Sequence, residues 1–157
     1  MSGFSGCPGS RTIEFNKEAT PDAAPGKVPS HLRQWPIQLH LVSPAAPYFQ
    51  GADVLLAADC VPFAMGNFHG EYLKGKSLAI ACPKLDEGQD AYKEKLKALY
   101  DEAKINTLTV IIMQVPCCRG LLGLALDARK ESRRKVPVRS VVVSLQGDVL
   151  QEDRIEA

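Results

Sequence analysis

The sequence predicts a three-layer α/β domain on a parallel sheet of four to five strands, and three observations lead there. The runs Asp53–Ala58 (DVLLAA) and Ser77–Ala81 (SLAIA) are apolar almost without a break, as strands covered on both faces are. A longer run at 107–115 (TLTVIIMQV) adds a strand rich in β-branched residues. Segments with helical spacing, or compact crossovers, separate the strands, and that alternation is the pattern of parallel βαβ units.

Taken in order, residues 1–34 read as a loosely ordered lead segment carrying Cys7, with Pro8, Pro21, Pro25 and Pro29 among repeated Gly, Ala and Ser. Within it, 11–15 (RTIEF) is a β-like stretch suited to an added edge strand or a clasp. The texture changes at Trp35: 37–42 (IQLHLV) reads as a strand, followed by a Pro-punctuated turn and one helical turn at 45–50. Residues 61–76 form an irregular or short-helix crossover. At 90–104, Tyr92, Leu96, Leu99 and Ala103 fall on one stripe with Lys and Glu between them, as in an amphipathic helix. A second helix is expected at 117–134, its apolar face Leu121, Leu124, Ala125 and Ala128. Its last turns carry Arg129, Lys130, Arg133 and Arg134, which suit the negative end of a helix dipole. The run 138–145 (VRSVVVSL) closes the sheet, and the charged residues after Gly147 are expected to fray. The organisation is therefore a lead at 1–34, a flavodoxin-like or Rossmann-like α/β domain at 35–147, and a charged tail at 148–157.

At 157 residues the chain fits one domain with a real core. Its 45% hydrophobic and 24% charged residues are ordinary for a globular protein, so neither disorder nor a membrane bundle is indicated. A net charge of +1 gives no push toward nucleic acid or anionic membrane. No apolar run approaches the roughly 18 residues of a membrane span. The first residues lack a basic stretch followed by an apolar one, so no secretory signal is expected. The expected location is the cytoplasm, where thiols stay reduced and grouped cysteines speak for metal or redox chemistry over structural bridges.

The five cysteines carry most of the functional information. Cys60, Cys82 and the pair Cys117–Cys118 each follow an apolar strand closely, so parallel strands would align all four on the carboxyl edge, where open α/β sheets bind ligands. Cys7 sits in a Gly/Pro-rich stretch, GCPGS. The gaps of 53, 22 and 35 residues contain no CxxC knuckle, unlike a structural zinc ribbon. Thiolates suit iron–sulfur clusters, zinc and copper(I), and Cys-Pro steps such as Cys7-Pro8 and Cys82-Pro83 accompany cluster ligands. An iron–sulfur cluster is favoured, with zinc as the alternative. Adjacent residues at a helix start diverge by about 100°, so the expected ligands are Cys7, Cys60, Cys82 and Cys117, with Cys118 a spare. The helix start should also lower the pKa of one of the paired thiols. Against this stands the ordinary role of a free cysteine as a small buried hydrophobe.

His69 is a candidate fifth ligand or proton donor, although a histidine in a Gly/Asn-rich loop is more often simply solvated. Asp59 and Asp86 flank Cys60 and Cys82; either could tune a site or serve as a turn cap. The basic run 129–135 (RKESRRK) reads as a solvated helix end, with docking of an acidic electron-transfer partner the lesser reading. The segment 70–77 (GEYLKGKS) matches the P-loop letters, but it leads into a strand where a P-loop must open a helix.

The phrases RQWPIQLHLV, ADVLLAADCVPFA, FHGEYLKGK, CPKLD and VPCCRG, in that order, resemble a family of anaerobe iron–sulfur proteins. In those a two-cluster 4Fe-4S ferredoxin domain is followed by a cysteine-rich α/β domain, and the match runs over about residues 6–147. No CxxCxxC run occurs in this sequence. The resemblance implies iron–sulfur binding of the 4Fe-4S kind and carries over Cys7, Cys60, Cys82, Cys117 and Cys118, with His69. The leading functional expectation is a cytoplasmic redox module exchanging electrons with a ferredoxin-like partner. One alternative is a metal- or cluster-dependent enzyme acting on a small molecule, with His69 or Asp86 as acid or base. Another is a thiolate protein for zinc or another soft metal, using the Cys117–Cys118 dithiol.

Overall fold

The computed structural model describes residues 11–15 and 26–156. In chain order its elements are β1 (Ile13–Glu14), β2 (Gln34–Trp35), β3 (Asp53–Ala58), α1 (Val61–Ala64), β4 (Ser77–Ala81), α2 (Gln89–Asp101), β5 (Thr107–Met113), α3 (Arg119–Glu131), β6 (Val138–Val143) and β7 (Val149–Ile155). The unbroken apolar runs became the inner strands: β3 and β5 are buried along nearly their whole length, as a sheet covered on both faces requires.

The main sheet has the order β4-β3-β5-β6-β7, parallel through β6, with β7 antiparallel on the edge. Val54 sits beside Ser77 on one side and Leu108 on the other, so β3 is the hinge of the register. From β3 the chain steps outward to β4, then back past β3 to β5 and on to β6. With right-handed connections, that reversal puts α2 and α3 on one face and the 61–76 crossover on the other. The two helices lie against each other, and each buries an apolar stripe: Tyr92, Leu96 and Leu99 in α2, and Leu121, Ala125 and Ala128 in α3. Each fully buried leucine contributes roughly 1.5–3 kcal/mol. The Tyr100 hydroxyl, deep between them, donates to the Ala125 carbonyl at 2.9 Å. On the other face the Arg139 guanidinium lies 5.5 Å from the centre of the Tyr72 ring.

Several expectations are corrected. The strand at 37–42 is absent: only Gln38 bridges β4, at Ile80, and the chain then turns, with the amides of Leu41 and Val42 donating to the Gln38 carbonyl. The turn buries Leu39 and Val42 together, and the Lys95 ammonium holds it by donating to the carbonyls of Leu39, His40 and Val42. The tail does not fray. Residues 149–155 pair with β6, and Arg139 grips Glu152 through two hydrogen bonds of 2.7 and 2.9 Å. All seven of its residues are exposed, and charges on an exposed edge strand discourage pairing with other chains. The second helix starts at Arg119, after a 3-10 turn at Pro116–Cys118, and stops at Glu131. Arg133 and Arg134 lie beyond it, their amides donating to the Asp101 carboxylate.

Other expectations stand. Residues 11–15 contribute β1, which pairs antiparallel with β2. The crossover holds α1 and a single π-turn at His69–Leu73, and a 3-10 turn occupies Pro47–Phe49. Lys76 and Ser77 open no helix: Ser77 begins β4 and its hydroxyl donates to the Tyr48 carbonyl, so the P-loop letters build no phosphate cradle there. Among the described residues no helix is long and apolar enough to cross a membrane.

Candidate functional site

The reversal of strand order between β3 and β5 opens the crevice at which doubly wound sheets bind ligands, outside the carboxyl ends of the strands. The thiols are distributed along that end. After β3, the Asp59 amide still donates to the Ala81 carbonyl at 3.2 Å, and Cys60 follows as the exposed N-cap residue of α1. After β4 comes Cys82, partly buried. After β5 the chain makes the Pro116–Cys118 turn, which leaves Cys117 exposed and Cys118 buried at the N-cap of α3. The loop after β4 meets the start of α3 closely: a Cβ added at Gly120 would lie 3.3 Å from the Pro83 Cβ.

The expectation that the helix start acidifies a paired thiol fails at Cys118. Burial pushes that thiol up, and Cys117 and Cys60, both close enough to add negative charge, push it further, outweighing a backbone hydrogen bond at Met113. The four thiols are free, with no disulfide among them. Among the described residues no group of three or more His, Cys, Asp or Glu side chains is placed to hold one metal ion. Cys7 lies outside the described residues.

The two aspartates divide by environment. Asp86 closes the loop after β4: its carboxylate accepts the Cys82 amide at 2.8 Å and the Tyr92 hydroxyl, while its own amide donates to the Cys82 carbonyl at 2.9 Å. Burial opposes its ionisation, but hydrogen bonds from Tyr92, Cys82 and Gln38 prevail and hold it below the usual carboxylate range. Burial and the Asp86 charge push the Tyr92 phenol far up. Asp59 is the opposite case. Its Oδ1 is buried with no hydrogen-bond partner, and burial, then the Asp86 charge, push its carboxyl up. Asp86 is thus committed to the loop, whereas Asp59 keeps an oxygen without a partner. The turn-cap reading of Asp86 therefore holds, as expected for an aspartate four residues after a strand-end amide. His69 belongs to the crossover: its Nδ1 accepts the His31 amide at 3.0 Å and its ring lies edge-on to Phe68.

Large apolar side chains surround the same end. Phe63 of α1 and Leu85 and Leu145 from the loops after β4 and β6 are 92%, 78% and 64% exposed.

Sheet order and switch point define a doubly wound α/β domain. The chain belongs to the Rossmann-like domain family, which it matches over residues 46–157. It is similar to an uncharacterized protein of Archaeoglobus fulgidus, 28% identical over 132 residues that make up 80% of this chain and 92% of that protein. No solved structure matches. The dinucleotide fingerprint GxGxxG does not occur in the sequence.

Proposed function

We propose that the protein is a redox module that holds an iron–sulfur cluster at the switch point through the thiolates of Cys60, Cys82 and Cys117, with Cys7 as the fourth ligand. The observation that carries this reading is the delivery of free thiols from three separate strand ends to one edge of a parallel sheet. A single tetrahedral zinc ion would draw its sulfurs to about 3.8 Å of one another, given Zn–S bonds of ~2.3 Å. A cluster takes one thiolate at each corner and so accepts ligands spread more widely than a single zinc ion does. When bound, the group would supply one-electron transfer.

The direction of the chain favours Cys7 as the fourth ligand. Arg33, Gln34 and Gln38 contact Gly75, Leu78 and Ile80 in turn, so β2 advances along β4 toward the carboxyl edge. Because β1 is antiparallel to β2, the chain enters β1 from the carboxyl-edge side. Ile13 lies six positions after Cys7, a reach of roughly 20 Å when extended. The resemblance to anaerobe iron–sulfur proteins supports the same ligand set and suggests 4Fe-4S as the cluster. The exposed Phe63, Leu85 and Leu145 would seat a ferredoxin-like electron-transfer partner, as exposed apolar patches mark docking sites. The reading assumes a reducing compartment such as the cytoplasm.

The test is anaerobic purification of the full chain with iron, zinc and acid-labile sulfide analysis and a visible spectrum. Iron and sulfide in equal amounts, with absorption bleached on reduction, is the expected result; zinc alone, or no metal, would end the proposal. A second reading, an enzyme acting on a small molecule at the same edge, is favoured by the unpartnered oxygen of Asp59. There Asp59 takes the acid–base role first expected of His69 or Asp86, so Asp59→Asn keeps its iron but loses turnover of a substrate found by screening. Full turnover in that variant would remove this reading.

A further inference from the structure

At the opposite end of the sheet lies a second candidate site, independent of the thiols. A cavity of ≈ 480 Å³ opens at the starts of β3, β5 and β6 and the end of β7, lined in part by Lys76, Arg139, Arg154, Asp53 and Glu156. Its volume falls within the range of small-molecule pockets, roughly 300–1,000 Å³. Three cations from three separate strand regions face it, and two of them have protein partners. Arg139 is held by both Glu152 oxygens and by the Tyr72 ring. Arg154, largely exposed, approaches Glu152 at 3.7 Å.

Lys76 is different. Among the described residues its ammonium has neither a hydrogen-bond acceptor nor an ion-pair partner, although the side chain is half-buried. Burial, then the like charge of Arg139, pulls its pKa below the ordinary lysine range, and Asp53 only partly offsets this. Asp53 is turned to other donors, its Oδ1 accepting from Asn106 at 2.8 Å and Thr107 at 2.7 Å, and it forms no ion pair with Lys76. A partly desolvated cation beside another cation is costly until an anion arrives.

We propose that this cavity binds a compact organic anion carrying at least two negative charges, with Lys76 as its principal contact and Arg154 as the second. Apolar wall residues such as Pro137 and Val138 leave room for a carbon skeleton, so the ligand is larger than a bare inorganic ion. Phosphate and carboxylate groups satisfy the same cations, as both accept charge-assisted hydrogen bonds from Lys and Arg. The contact is by side chains and not by helix amides, since Ser77 opens a strand.

The experiment is calorimetric titration of the full chain, at low ionic strength, with pyrophosphate as the phosphate probe and citrate as the carboxylate probe. At least one should bind saturably, and the stronger probe identifies which group the site prefers. Lys76→Met, which keeps the apolar stem, should weaken that binding at least tenfold, and Arg154→Gln should weaken it about threefold. Lys74→Met, the same charge loss at an exposed lysine outside the cavity, should leave it unchanged. No saturable binding of either probe, or equal weakening by Lys76→Met and Lys74→Met, would overturn the proposal.

Discussion

Replacing Gly147 with alanine probes the contact that ties the β6–β7 turn to the helix behind Cys60. Gly147 adopts φ +90°, and a Cβ there would overlap the Ala64 carbonyl oxygen and lie 3.3 Å from the Ala64 carbonyl carbon and the Met65 Cα. Two costs add. A side chain on left-handed backbone costs about 1–2 kcal/mol, and overpacking against atoms that cannot rotate away costs about 1–3 kcal/mol. The expected loss is therefore about 2–5 kcal/mol, or roughly 4–20 °C in Tm at ~2–4 °C per kcal/mol for a chain of this size. Gly51→Ala is the control, because Gly51 has φ +63° but open space around its Cβ position, leaving only the first cost. Urea and thermal unfolding of both variants under reducing conditions separate the two terms. If Gly147→Ala is no more destabilised than Gly51→Ala, the close approach to α1 is not real and the reasoning fails.

Three further outcomes are expected. Lys95→Met removes the ammonium that gathers the carbonyls of Leu39, His40 and Val42 at 3.0, 2.7 and 2.9 Å. It should cost about 2–3 kcal/mol, and amide exchange at Leu39 should quicken; unchanged exchange would show the turn holds without it. Asp59→Asn should stabilise the metal-free protein at neutral pH by about 1 kcal/mol, since it removes a carboxylate charge that burial and Asp86 both disfavour. The sign follows from the raised carboxyl: its favourable contribution is present below the unfolded carboxylate pKa and lost as pH rises through the folded value. The gain should therefore vanish below about pH 4, and melting curves across pH would expose a gain that persists there. Asp101 behaves oppositely, because the amides of Arg134 and Arg133 hold its carboxyl below the usual range. Its stabilisation is present above about pH 4 and lost as pH falls through the depressed value. Asp101→Asn should thus flatten the acid limb of the stability curve, and an unaltered limb would contradict the assignment.

Where the sequence was legible, one physical signal dominated. β3 and β4 keep their expected bounds because an unbroken apolar run has no alternative to burial on both faces. The stripe Tyr92, Leu96 and Leu99 likewise gave α2. The misses share another cause: partners distant in sequence. IQLHLV has a strand's alternation, but Lys95 bends it into a turn from more than fifty residues away. The charged tail becomes β7 only because β6 offers it an open edge, with Arg139 opposite Glu152.

Legibility of the site divides the same way. The placement of Cys60, Cys82 and Cys117 on one edge follows from strand direction, which alternation with helices reveals. The cap role of Asp86 was legible from its place four residues after Cys82, but that Cys118 is buried and that His69 meets His31 depend on packing that no local pattern encodes.

The central claim, one cluster site assembled from separate strand ends, is tested most directly by iron content in single Cys→Ser variants purified anaerobically. Cys60→Ser and Cys82→Ser should each abolish iron retention, because both ligands come from rigid strand ends and no neighbour can replace them. Cys117→Ser should lose most of the iron, Cys7→Ser should lose part of it, and Cys118→Ser should retain it. Full iron content in both Cys60→Ser and Cys82→Ser would contradict the account.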